Sequence, residues 1–100
     1  MKQVNETVDM KDMEVYYSNK NLMDVSLALI LAKEFGVEDS FVVDFSGYHY
    51  TPGIVGITSD QFNYFVYEVD EHKQCNTILK TTSEKEACLA ALNSLGISLK

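Results

Sequence analysis

Residues 62–69, Phe-Asn-Tyr-Phe-Val-Tyr-Glu-Val, constrain this chain more than any other stretch. Aromatic and β-branched residues crowd it, and such side chains suit a pleated, half-buried strand. Side chains alternate along a strand, so Tyr64 shares a face with Val66, Glu68 and Asp70. Phe65, Tyr67 and Val69 then point the other way, toward the core.

The stretches on either side extend the pattern. From Ser40 a period of two puts Phe41, Val43 and Phe45 on one face and Val42 and Asp44 on the other. This strand is expected to run through Tyr48, His49 and Tyr50 into a Thr51-Pro52-Gly53 turn, where Pro presets φ and Gly accepts a positive one. A second strand is expected over 54–58, and 75–81 supplies a fourth after the polar turn Asp70–Gln74. Connections this short favour an antiparallel meander.

Helices are expected on both sides of the strands. Asn21 is placed to cap a helix over 21–35, with Asp24 near its positive end and Gly36 just past its last turn. Apolar residues surround most of that helix, so it needs cover on more than one side. Ser83-Glu84-Lys85-Glu86 reads as a capping box, followed by an Ala87, Ala91, Leu92, Leu95 stripe that Gly96 ends. Residues 1–12 hold too little apolar surface for a rigid element and are expected to form a loosely held arm. Met13–Tyr17 fits a short strand and a helix equally. The expectation is a single α+β domain over 1–100: a four-stranded antiparallel meander flanked by an N-terminal and a C-terminal helix, α-β-β-β-β-α, with both helices on one face.

Charge narrows the function. Fifteen acids face eight bases for a net charge of −7. All the bases are lysines, so phosphate backbones are repelled and bidentate arginine contacts to phosphate or guanine are unavailable. Nucleic-acid binding is not expected. One hundred residues build one core and leave no room for a large active site. The first twenty residues carry Glu6, Asp9, Asp12 and Glu14 and resemble no export signal. The apolar stretch 22–32 is too short for a bilayer. A cytoplasmic protein is expected, with Cys75 and Cys88 as thiols.

No constellation of residues points to catalysis or to a cofactor. His49, His72, Cys75 and Cys88 have the right donor atoms for zinc only if the fold gathers all four. His72 in a charged turn and Cys88 beside an apolar stripe read instead as solvent-facing and core residues. Neither cysteine has a local partner that would make it a nucleophile. The glycines at 47, 53 and 56 lack the helix start and lysine of a phosphate loop.

Two surface features remain. Acids gather at Glu38, Asp39, Asp44, Asp60, Glu68, Asp70 and Glu71, and no lysine falls between Lys33 and Lys73. Charge of one sign repels itself and suits a positive partner. Tyrosines at 16, 17, 48, 50, 64 and 67 exceed what a small core satisfies, and tyrosine favours interfaces. The candidate partner-binding residues are Tyr48, Tyr50 and Tyr64 with Asp39, Asp44, Asp60, Glu68, Asp70 and Glu71.

The stretch Tyr64-Phe65-Val66-Tyr67-Glu68-Val69-Asp70-Glu71, followed by Ser83-Glu84-x-Glu86-Ala87-Cys88, resembles the C-terminal half of small bacterial immunity proteins encoded beside polymorphic or contact-dependent toxins. The likeness lies within residues 62–96. It implies a cytoplasmic inhibitor that binds the toxic domain of a cognate toxin, frequently a nuclease, and blocks its substrate site. It carries over no catalytic residue. An acidic surface agrees with this, because it steers association with a basic cleft. Two alternatives share the composition: a phage-encoded anti-defence inhibitor, and a homodimeric interaction domain completed through the apolar first helix.

Overall fold

The computed structural model describes residues 22–98. The expected arm over 1–12, the ambiguous segment 13–17, and Tyr16 and Tyr17 lie outside the described residues. Two helices and four strands follow in the order α1 (Val25–Glu34), β1 (Phe41–Val43), β2 (Val55–Ser59), β3 (Tyr64–Val69), β4 (Cys75–Thr81) and α2 (Glu84–Ser94). A 3-10 turn over Glu38–Ser40 links α1 to β1. The class is α+β, as expected.

Helix α1 starts later than its apolar run suggests. Asp24, not Asn21, is the cap, and its carboxylate accepts the Leu27 N–H at 2.9 Å. Met23 folds back into the core just before the cap, and Ala28 lies in the same buried cluster, the arrangement of a hydrophobic staple. Both helices end alike. Gly36 and Gly96 take positive φ, and the next residues, Val37 and Ile97, donate back to Ala32 and Leu92 carbonyls at 2.8 Å. In α2, Ser83 accepts the Glu86 N–H at 3.1 Å, while the Glu86 carboxylate accepts from Thr81 Oγ1 instead of closing the box onto Ser83.

The two helices run side by side in the same direction. At their starts, Glu84 of α2 accepts the Val25 N–H of α1 at 2.9 Å. At their ends, Val37 and Leu95 border one cleft. Small residues on the facing surfaces, Ala28 and Ala32 with Ala87 and Ala91, allow close approach. Leu31 and Leu92 fill the space down to Phe41, Val55, Ile57 and Val66 on the sheet. On α1, Leu29 and Ile30 remain exposed, so the described residues cover the helix on one side only.

The strands lie in the sequential order β1-β2-β3-β4, but the sheet is mixed and not the all-antiparallel meander expected. β2–β3 and β3–β4 are antiparallel, whereas β1 pairs parallel with β2, Phe41 opposite Val55. The expected long first strand and its hairpin are therefore wrong. Asp44 stops the strand after Val43: its carboxylate accepts the Ser46 N–H at 2.9 Å and the Ser46 hydroxyl, and it pairs with His49 Nε2 at 2.7 Å. Residues 44–53 then return as a strap over the sheet face opposite the helices. Ten extended residues reach about 33 Å, ample for the return along a short strand. The Pro52-Gly53 turn forms, with Gly53 at φ +90°, but it feeds the strap into β2.

The strap closes a second core. Tyr67, Ile54 and Val69 are buried beneath it, flanked by Val42 and Cys75. The Tyr48 ring packs on the Tyr67 ring at 4.7 Å between centroids. The Tyr67 hydroxyl accepts the His49 N–H at 2.9 Å, and the Cys75 thiol donates to the His49 carbonyl at 3.4 Å. On the outer strand β4 the register skips from Val66↔Leu79 to Tyr67↔Thr77, so Ile78 is bulged outward and exposed.

Candidate functional site

The sequence placed Tyr64, Glu68 and Asp70 on an open sheet face, and the structure corrects this. Their face is the helix-covered one: Val66 is fully buried there and Tyr64 packs against the same core, its ring edge-on to Phe45 at 5.9 Å. Only Glu68 escapes cover, because it lies near the strand end beside the last turn of α2. Its Oε2 accepts the Ser94 hydroxyl at 2.6 Å. The opposite face, expected to be core, is indeed buried at Tyr67 and Val69, but by the strap.

The nine candidate residues do not form one surface. The strand directions put Asp39, Glu68, Asp70 and Glu71 at the end where β2 begins and β3 finishes. Asp44, Asp60 and Tyr64 lie at the other end. Tyr48 and Tyr50 ride on the strap between them, Tyr50 being the more exposed at 59% against 39%.

Three of the acids are occupied in building turns. Asp44 is held down to a pKa of about 2, first by the Ser46 hydroxyl, then by His49 and the Ser46 N–H. Asp60 accepts the Phe62 and Asn63 N–H groups at 2.8 Å, which lower its pKa. Asp70 accepts the Gln74 N–H at 2.9 Å, the Asn76 side-chain amide at 3.2 Å and the His72 N–H at 2.8 Å, with the same effect. Hydrogen bonds to the charged form favour it. These carboxylates remain charged, yet part of their hydrogen-bonding capacity is spent within the chain. Asp39 and Glu71 are exposed and spend none in the described contacts.

The zinc ligand set is not assembled. Cys88 is buried among the helices, His49 and Cys75 lie on the strap side, and His72 is exposed in the β3–β4 turn. Among the described residues no group of three or more His, Cys, Asp or Glu could hold a metal ion. Burial pushes the Cys88 thiol up to about 12 and raises that of Cys75, the opposite of nucleophile activation. No helix among the described residues is long and apolar enough to cross a membrane.

One concavity joins the acidic end. A cleft of about 390 Å³ opens between the two helix C-termini and the start of β2. Val37, Ile54, Val69 and Leu95 give it apolar walls, and Glu68, Ser40 and Ser94 give it polar ones. Helix C-termini carry partial negative charge, and α2 has no basic residue in its last turn to offset it. Of the cleft residues only Glu68 was singled out by the sequence. Val37 and Ser40 come from the turn after α1 and Ser94 from the end of α2, and the one local signal available was the missing cation at the end of α2.

Comparison of the chain with protein-family models, with curated proteins and with solved structures gives no match.

Proposed function

We propose that the chain is a non-catalytic, protein-binding inhibitor of the immunity type, which neutralises a basic bacterial toxin domain such as a nuclease. The contact surface is the acidic end carrying Asp39, Glu68 and Glu71, with Asp70 adding charge. One observation carries the reading. Among the described residues no lysine pairs with a carboxylate, and the one contact at that distance is His49 Nε2 with Asp44 at 2.7 Å, an ion pair only when the histidine is protonated. Among the described residues the acids thus have no lysine in direct contact, only the longer-range pull of Lys80 on Asp60, and their self-repulsion is a cost that a cationic partner would relieve. Charge of this kind speeds encounter and selects partners more than it adds affinity.

The test is co-expression with a toxic domain encoded beside this chain, scored by cell survival and by purification of the complex. Survival with a one-to-one complex whose association slows as salt rises is the expected result. Cell death with no complex would sink the reading.

A further inference from the structure

Resting on the reading of the chain as a binder of a basic protein, we infer that the cleft beside Glu68 is the seat for one arginine side chain of that partner. The cleft is open to solvent, and its volume of about 390 Å³ is large enough for one long side chain. Val37, Ile54 and Leu95 offer an apolar channel for the methylene stem of a long side chain. Glu68 lies where the head of that chain would arrive.

The polar groups suit a guanidinium. Ser94 gives its proton to Glu68 Oε2, so the remaining capacity of this pair is acceptor only. A guanidinium brings five donors in a planar fork, whereas an ammonium is a compact charge that stays hydrated. The field has the same sign as the chemistry: both helices turn their C-termini toward the cleft, that of α1 partly offset by Lys33 in its last turn and that of α2 by no base, and no arginine of this chain competes for it. Glu68 is exposed, so salt weakens its pull on a free cation without abolishing it, and a small arginine peptide binds most tightly at low ionic strength, the condition for its titration. A cation on a protein surface brings its own cover, which excludes water and strengthens the pair.

The experiment uses the ¹⁵N-labelled full chain titrated with the peptide acetyl-Gly-Arg-Gly-amide and its lysine and citrulline counterparts. The arginine peptide should give saturable shifts at the Ile54, Val69 and Leu95 amides. The citrulline and lysine peptides should bind about tenfold more weakly. Glu68→Gln keeps an acceptor for Ser94 and should weaken the arginine peptide about tenfold, while Glu86→Gln, at the opposite end of α2 and still able to accept from Thr81, leaves it unchanged. Thermal melts of both variants verify that they fold. Non-saturating shifts spread over the acidic turns, equal binding of lysine and arginine, or indifference to Glu68→Gln would each overturn the assignment. Failure here is separable from failure of the inhibitor reading: protection in the co-expression test by a chain that ignores the peptide removes the cleft alone, and peptide binding without protection removes the inhibitor alone.

Discussion

The Tyr67 ring lies flat across Gly56, its partner on the neighbouring strand, and a Cβ at position 56 would overlap that ring. The absent side chain is what lets a fully buried tyrosine turn its hydroxyl toward the strap and accept the His49 N–H. Gly56→Ala should therefore displace Tyr67 and lower stability by about 1–3 kcal/mol, the range for overpacking a filled core. Tyr67→Phe keeps the ring but orphans the His49 amide, at a loss of about 1–2 kcal/mol. Denaturant midpoints measure both, and hydrogen exchange at His49 should quicken in each variant. A Gly56→Ala protein as stable as the parent would show that the strap does not depend on this contact.

Acid should release the same strap from its other anchor. Asp44 titrates at about 2 in the folded chain against an ordinary 3.8. Its folded pKa is the lower one, so the stabilisation is complete above about pH 4 and is lost as pH falls toward 2. A carboxyl-carbon titration by NMR should give a midpoint near 2 for Asp44. In His49→Ala the midpoint should rise yet stay below 3.8, because the larger contribution of Ser46 remains.

These two anchors explain what the sequence hides. Gly36, Gly96 and the Ser83 cap act within a turn of where they stand, so three of the four helix ends were legible, the start of α1 at Asp24 being the exception. The strands β3 and β4 were legible for the same reason: their residues and turn are local. The direction of β1 was not, because it depends on His49 meeting Tyr67, eighteen positions away. Pro52-Gly53 looked like a hairpin and does form a turn, but a turn fixes a local bend and not which strand the chain joins. Alternation on β3 could not tell core from surface, since Val66 and Tyr67, on opposite faces, are both fully buried. The cleft was hidden because four distant segments build it.

Charge reversal should separate acids that hold turns from acids that face a partner. Asp60→Lys and Asp70→Lys each remove acceptors for two backbone N–H groups, and each should lower the melting temperature. Asp39→Lys and Glu71→Lys should leave stability within about 0.5 kcal/mol and slow binding to a basic partner instead. Melting curves beside association rates at two salt concentrations read the difference. Equal melting losses in all four would mean that the exposed acids are structural too.

The thiols give a measure of local opening. Cys88 is buried against both helices, so burial favours its neutral form in the folded state. Its contribution is intact below about pH 9 and fades as pH rises toward 12, because the unfolded chain ionises first. A thiol reagent at neutral pH should modify Cys75 slowly and leave Cys88 untouched until denaturant is added. Rapid modification of both in the native protein would mean that α2 lifts readily from the sheet.

Glu84 holds the starts of the helices together and so sets the direction of both C-termini. Its carboxylate sits in the first turn of α2 and accepts the Val25 N–H of α1, putting one negative charge at two positive helix ends. Glu84→Gln keeps an acceptor and should lose about 0.5 kcal/mol, the share owed to charge. Glu84→Ala leaves the Val25 amide without a partner and should lose about 1–2 kcal/mol, although alanine is the better helix former. The Val25 amide should then exchange faster while amides in the middle of α2 do not. If glutamine and alanine lose the same amount, charge rather than the hydrogen bond joins the helices. Salt would then weaken the parent protein and leave both variants unaffected.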